Sequence, residues 1–137
     1  MANSEVEKQF AEYVKLRGYD DKFIDREEER TLLDNGIGQG LSLDEARSIF
    51  FTTCEEKGYV TERDIDNKIQ EMLSQFAIND GKVDKKEFFD TVAIAQNMSK
   101  GKISEPKCKK KVKEILLDNG WNVREGFLKG GNWFASI

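Results

Sequence analysis

Residues 65–88, Ile-Asp-Asn-Lys-Ile-Gln-Glu-Met-Leu-Ser-Gln-Phe-Ala-Ile-Asn-Asp-Gly-Lys-Val-Asp-Lys-Lys-Glu-Phe, carry the pattern that decides the fold. Ile65, Ile69, Met72 and Leu73 recur at i, i+4, i+7 and i+8, the apolar stripe of a helix. An acidic turn around Gly81 follows. Asp84 and Glu87 then form a capping box, in which the cap oxygen accepts the amide three residues on and the acid there reaches back to the cap amide. The same series stands fifty-nine residues earlier. Val6, Phe10, Tyr13 and Val14 repeat the stripe, and Tyr19, Asp21, Ile24, Asp25 and Glu28 match Ile78, Asp80, Val83, Asp84 and Glu87. After a three-residue insertion the offset becomes sixty-two, which brings Ser42, Ala46, Gly58 and Tyr59 onto Ser104, Cys108, Gly120 and Trp121. Matches in this order mark an internal duplication.

Helix signals outside this stretch agree with it. Ser4 with Glu7 and Ser42 with Glu45 have capping-box spacing, and Ser104 precedes Pro106, which the first turn of a helix tolerates because its missing amide has no partner there. Gly18, Gly40, Gly58 and Gly120 stand where helices should stop. Six helices are expected, at about 4–17, 25–38, 42–57, 61–77, 84–99 and 104–119. The fold class is therefore all-α: a six-helix bundle from two tandem three-helix units. Short linkers favour packing of neighbouring helices, so residues 1–137 are read as a single domain with repeat units at 4–60 and 61–121. The aromatic tail, 121–137, breaks the helical pattern, and a small β-hairpin turning at Gly130-Gly131 is expected there.

Composition removes several classes of function. Histidine is absent from the 137 residues, which takes away the commonest general base and transition-metal ligand. The two cysteines, Cys54 and Cys108, have no metal spacing and read as small semi-buried side chains. No apolar run is long enough to span a membrane, no signal peptide is visible at the N-terminus, and Ala2 excludes myristoylation. A cytoplasmic address is the default. No nucleophile–base pair, phosphate loop or metal motif is present, so no enzyme is expected.

Asp80-Gly81, Val83, Asp84 and Glu87 look like the second half of an EF-hand loop. If Glu87 were the final bidentate ligand, the first two ligand positions would fall on Phe76 and Ile78, and in the first copy on Arg17 and Tyr19. None of these offers a calcium ligand. A weak, water-rich Ca2+ or Mg2+ site is the remaining metal reading, with Asp80, Asp84 and Glu87 in one loop and Asp21, Asp25 and Glu28 in the other. Helix capping and complementarity to the helix dipole account for the same acids without a cation. Ile24 and Val83 are expected to pair as very short strands or to plug the core.

The doubled element Asp21, Ile24, Asp25, Glu28 and Asp80, Gly81, Val83, Asp84, Glu87, opening a helix in each half of an all-α chain, resembles the TerB-like (tellurite-resistance type) helical superfamily over residues 4–119. The resemblance implies a compact bundle of bacterial origin that binds a divalent cation on an acidic surface and serves stress response or assembly at membranes. The chain departs from that pattern at Lys22 and in its aromatic tail.

Charge is asymmetric. Residues 1–98 carry 13 basic and 22 acidic side chains, whereas residues 99–137 carry 9 and 4. The last helix concentrates the positive charge, with Lys107, Lys110 and Lys111 among its lysines. These, with Trp121, Phe127, Trp133 and Phe134, form the candidate partner-binding set. One use is contact with nucleic acid or an anionic surface, lysines on phosphates and tryptophans on bases. The simpler account packs the basic helix on the acidic remainder, favoured by the net charge of −4, and docks the tail on its own core. The leading expectation is a helical interaction or adaptor module with a protein partner.

Overall fold

A computed structural model describes residues 4–124 and 133–137. Six helices and four two-residue strands make up the described chain: α1 (Ser4–Arg17), β1 (Phe23–Ile24), α2 (Arg26–Gly38), α3 (Leu43–Lys57), β2 (Val60–Thr61), α4 (Glu62–Phe76), β3 (Lys82–Val83), α5 (Lys85–Met98), α6 (Glu105–Asp118) and β4 (Asn122–Val123). The all-α class stands, with the six helices within a residue or two of the positions their caps and stripes indicate. The chain divides into two compact units, Met1–Arg63 and Asp64–Ile137. The division falls in the first turn of α4, three residues beyond the join at 60/61 that the repeat suggests.

In the first unit α1 and α2 both pack on α3. Phe10, Val14, Ile24, Leu32, Leu33, Leu41, Ala46, Phe50, Cys54 and Tyr59 form its core, with Val6 and Ile49 packed against it. In the second unit α5 packs on α6. The core positions recur there at the two offsets as Ile69, Leu73, Val83, Val92, Ile103, Cys108, Val112 and Leu116, all buried. Phe50 is answered by Val112 and Cys54 by Leu116, so volume lost at one position is partly recovered one turn away, which preserves packing density. Polar contacts tie α4 to α6: Lys111 Nζ donates to Asp66 Oδ1 at 2.8 Å, and the amides of Gln70 and Asn119 exchange two hydrogen bonds.

Asp25, Ser42 and Asp84 each close a full capping box with the glutamate three residues on. Ser104 accepts from the Lys107 amide, with Pro106 in the first turn of α6. Each such cap contributes about 1 kcal/mol by satisfying amides that have no partner within the helix.

Ile24 and Val83 both pair as strands and fill the core, being fully buried. Their partners are the residues just after the third helix of each unit. β1 runs parallel to β2 with Phe23 opposite Val60 and Ile24 opposite Thr61. β3 runs parallel to β4 with Lys82 opposite Asn122 and Val83 opposite Val123. The start of the tail therefore pairs with the acidic loop of its own unit. Residues 133–136 form a turn, and the expected hairpin turn at Gly130-Gly131 lies outside the described residues.

Candidate functional site

The two acidic loops are the same object built twice. In each, the first aspartate folds back on the amide two residues ahead: Phe23 N donates to Asp21 Oδ1 and Lys82 N to Asp80 Oδ1, both at 3.1 Å. The second aspartate caps the following helix. Glu28 N donates to Asp25 Oδ1 at 2.8 Å and Glu87 N to Asp84 Oδ1 at 2.7 Å. The glutamates return the contact, Glu28 Oε1 accepting from Asp25 N and Glu87 Oε1 from Asp84 N. Two of the remaining oxygens meet cations of the protein: Glu28 Oε2 lies 3.4 Å from Arg17, and Asp80 Oδ2 lies 3.0 Å from Arg124. The oxygens with a contact in the protein are thus turned to amides and guanidiniums at the helix ends. Among the described residues no three Asp, Glu or Cys side chains are grouped to hold a metal ion.

Burial raises the Glu28 carboxyl above its ordinary value, opposed by its hydrogen bond from the Asp25 amide. Asp25 and Asp21 raise it further and Arg17 lowers it. Burial likewise pushes the Tyr59 hydroxyl up, and that hydroxyl donates to the Lys15 carbonyl at 2.7 Å. Cys54 and Cys108 are both free and buried, and burial pushes the Cys108 thiol up, the direction of an unreactive side chain.

The lysines of α6 divide into two groups. Lys107 and Lys110 are exposed. Lys111 is half-buried in its ion pair with Asp66. Lys109 lies 3.0 Å from Glu105 and over the Phe89 ring. Lys113 stands over the Phe134 ring and donates to the carbonyls of Phe134 and Ile137. Trp121 is half-buried beside Gly81. Trp133 and Phe134 pack edge-on against Phe88, their ring centroids 5.2 and 5.7 Å from it. The described part of the tail is thus docked on its own unit, and Phe127 lies outside the described residues.

Two groupings escape a reading of stripes and caps alone. The first is the seat for the tail, Phe88 and Phe89 with Lys85, Lys109 and Lys113. The adjacent phenylalanines are its visible sequence signal. The second lies at the matching place in the first unit, where Glu29 replaces Phe88. Glu29 is only 3% exposed, and its Oε2 accepts from Arg63 at 2.6 Å. Next to it Glu62 Oε1 accepts the Arg26 amide at 2.9 Å, adding an acceptor to the α2 N-terminus. No helix among the described residues is long and apolar enough to cross a membrane. No family model, curated protein or solved structure matches this chain.

Proposed function

We propose that the chain is a non-enzymatic interaction module that binds a protein partner, in line with the stress-response adaptor role that its TerB-like resemblance implies. The observation that carries this reading is an apolar face on α1 and the loop after it. Leu16 is 73% exposed and Tyr19 68%, with Tyr13 beside them. Tyr13 also borders a cleft of about 210 Å³ lined by Val6, Gln9, Phe10, Asn35 and Gln39. Large apolar side chains grouped beside a cleft with a few polar amides suit a partner's side chain. The acids of the two loops are compatible with the same reading, because Asp25, Glu28, Asp84 and Glu87 hold helix ends.

The test is a photo-reactive residue at Leu16, with the same residue at exposed Lys86 as the control. A recurrent protein adduct at position 16 and none at position 86 is expected. Equal labelling at both positions, or none at either, overturns the reading. A proton–nitrogen spectrum titrated with calcium, magnesium and a short oligonucleotide decides the alternatives. Shifts confined to Asp80, Asp84 and Glu87 would favour a cation-responsive regulator. Salt-dependent shifts at Lys107 and Lys110 would favour an anionic partner.

A further inference from the structure

Trp133 and Phe134 rest in a seat whose parts are complementary to a specific shape. Phe88 is fully buried and presents its ring to both, at interplanar angles of 65° and 85°. Phe89 meets Trp133 beside it, ring centroids 5.4 Å apart and tilted at 48°. Such edge-on arrangements set the positive ring edge against the negative ring face, which rewards an aromatic over an aliphatic occupant. Lys85 lies 5.9 Å from the Trp133 ring and Lys113 4.7 Å from the Phe134 ring, a further preference for aromatic faces. Lys113 Nζ also gathers the carbonyls of Phe134 at 2.8 Å and Ile137 at 3.2 Å, so the seat reads a backbone turn as well as two rings.

The occupant is self-contained. Ile137 N donates to the Phe134 carbonyl, and Ser136 Oγ donates to the Trp133 carbonyl, so the turn brings its own internal hydrogen bonds. It is also shallowly held: Trp133, Phe134 and Ile137 are half-exposed, and Ala135 and Ser136 are exposed. Among the described residues of the first unit the seat is not repeated. Glu29 stands at the position of Phe88, and Phe51 at that of Lys113.

We infer that the face of α5 and α6 formed by Phe88, Phe89 and Lys113 is a recognition site for a Trp-Phe turn, filled by this chain's own residues 133–137 and able to take the same motif from a partner. This rests on the reading of the chain as an interaction module and names one class of partner, a segment bearing an aromatic pair followed by small residues. Residues 133–137 then act as an internal competitor. Their tether gives them an effective concentration of about millimolar, so a partner must exceed that to displace them.

The experiment uses the full-length chain carrying Trp133→Ala and Phe134→Ala, with the peptide Trp-Phe-Ala-Ser-Ile added in trans and followed by proton–nitrogen spectra. Saturable shifts at the amides of Phe88, Phe89 and Lys113 are expected, with at least tenfold more peptide needed for the unaltered chain. The peptide Ala-Ala-Ala-Ser-Ile should move none of them. If the double variant fails to fold, the single Trp133→Ala variant, which keeps Phe134 on Phe88, is read in the same way. No shift at those three amides in a folded variant, or equal response of variant and unaltered chain, overturns the inference. That failure is separate from the cross-linking test at Leu16, which reports on the first unit.

Discussion

The two acidic loops share a backbone path yet place their aromatic ring differently. In the first, Tyr59 lies flat on the end of α1, where a Cβ on Gly18 would come within 2.4 Å of its ring. Only glycine leaves room for that contact, and the ring is buried because of it. In the second, the residue matching Gly18 is Ala77, and the matching ring, Trp121, is half-buried beside Gly81 instead. Gly81 has φ +72°, a left-handed conformation that glycine adopts at little cost. The first loop makes the same turn with Lys22 at φ +60°, whose ammonium lies 5.0 Å from the Tyr19 ring and 5.5 Å from the Tyr59 ring. The glycine and the ring thus move together: glycine stands under whichever site the ring occupies. A second substitution separates the units. Glu29 with Arg63 fills in one the place that Phe88 with Trp133 and Phe134 fills in the other.

These differences can be broken in order of expected effect. Phe88→Ala empties the seat and the core beneath it and should cost about 3–5 kcal/mol, measured by urea unfolding followed through a second-unit probe. Arg63→Met leaves the Glu29 carboxylate buried without its guanidinium and should cost about 3 kcal/mol at neutral pH. Adding Glu29→Met to that variant should recover most of the loss, because the unpaired buried charge is removed with it. A double variant no more stable than Arg63→Met would remove the ion-pair account. Gly18→Ala should cost about 2 kcal/mol by driving Tyr59 from its seat, with the Tyr59 ring resonances moving toward exposed values. Gly81→Lys, which copies the first loop into the second, should cost about 1 kcal/mol because no pair of tyrosine rings receives the ammonium. The smallest effect is expected from Glu28→Gln, which keeps the cap acceptor. Because burial raises the Glu28 carboxyl, the unaltered chain gains stability as pH falls through that raised value, and the variant should show a flatter pH dependence there.

The fold was legible where physics writes a period into the chain. The stripes at Val6 to Val14 and Ile65 to Leu73, and the boxes at Asp25, Ser42 and Asp84, place the helices because each has a fixed spacing and a fixed partner. The strand partners were not legible. Two-residue strands carry no alternation, so nothing in Val60-Thr61 or Asn122-Val123 announces that they reach back to Ile24 and Val83. The loop acids were legible as caps, and their hydrogen bonds are those the spacing implies. The exchange of Glu29 for Phe88 was visible at the offset of fifty-nine, but its meaning depends on Arg63, in the first turn of α4, and on Trp133, in the tail, neither of which lies in the helix that carries the exchange.

The parallel strand pairs also bear on how each unit assembles. β1 cannot meet β2 until α2 and α3 have been laid between them, so the last residues of the unit fasten its first loop. The Val60 amide donates to the Lys22 carbonyl, and the Asn122 amide donates to the Gly81 carbonyl. Each bond closes over a two-helix excursion, α2 and α3 in the first unit and α5 and α6 in the second. Deuterium uptake at these two amides therefore clocks the opening of the first and second units separately, and a difference between the two rates would measure how far the duplicated halves have diverged in stability.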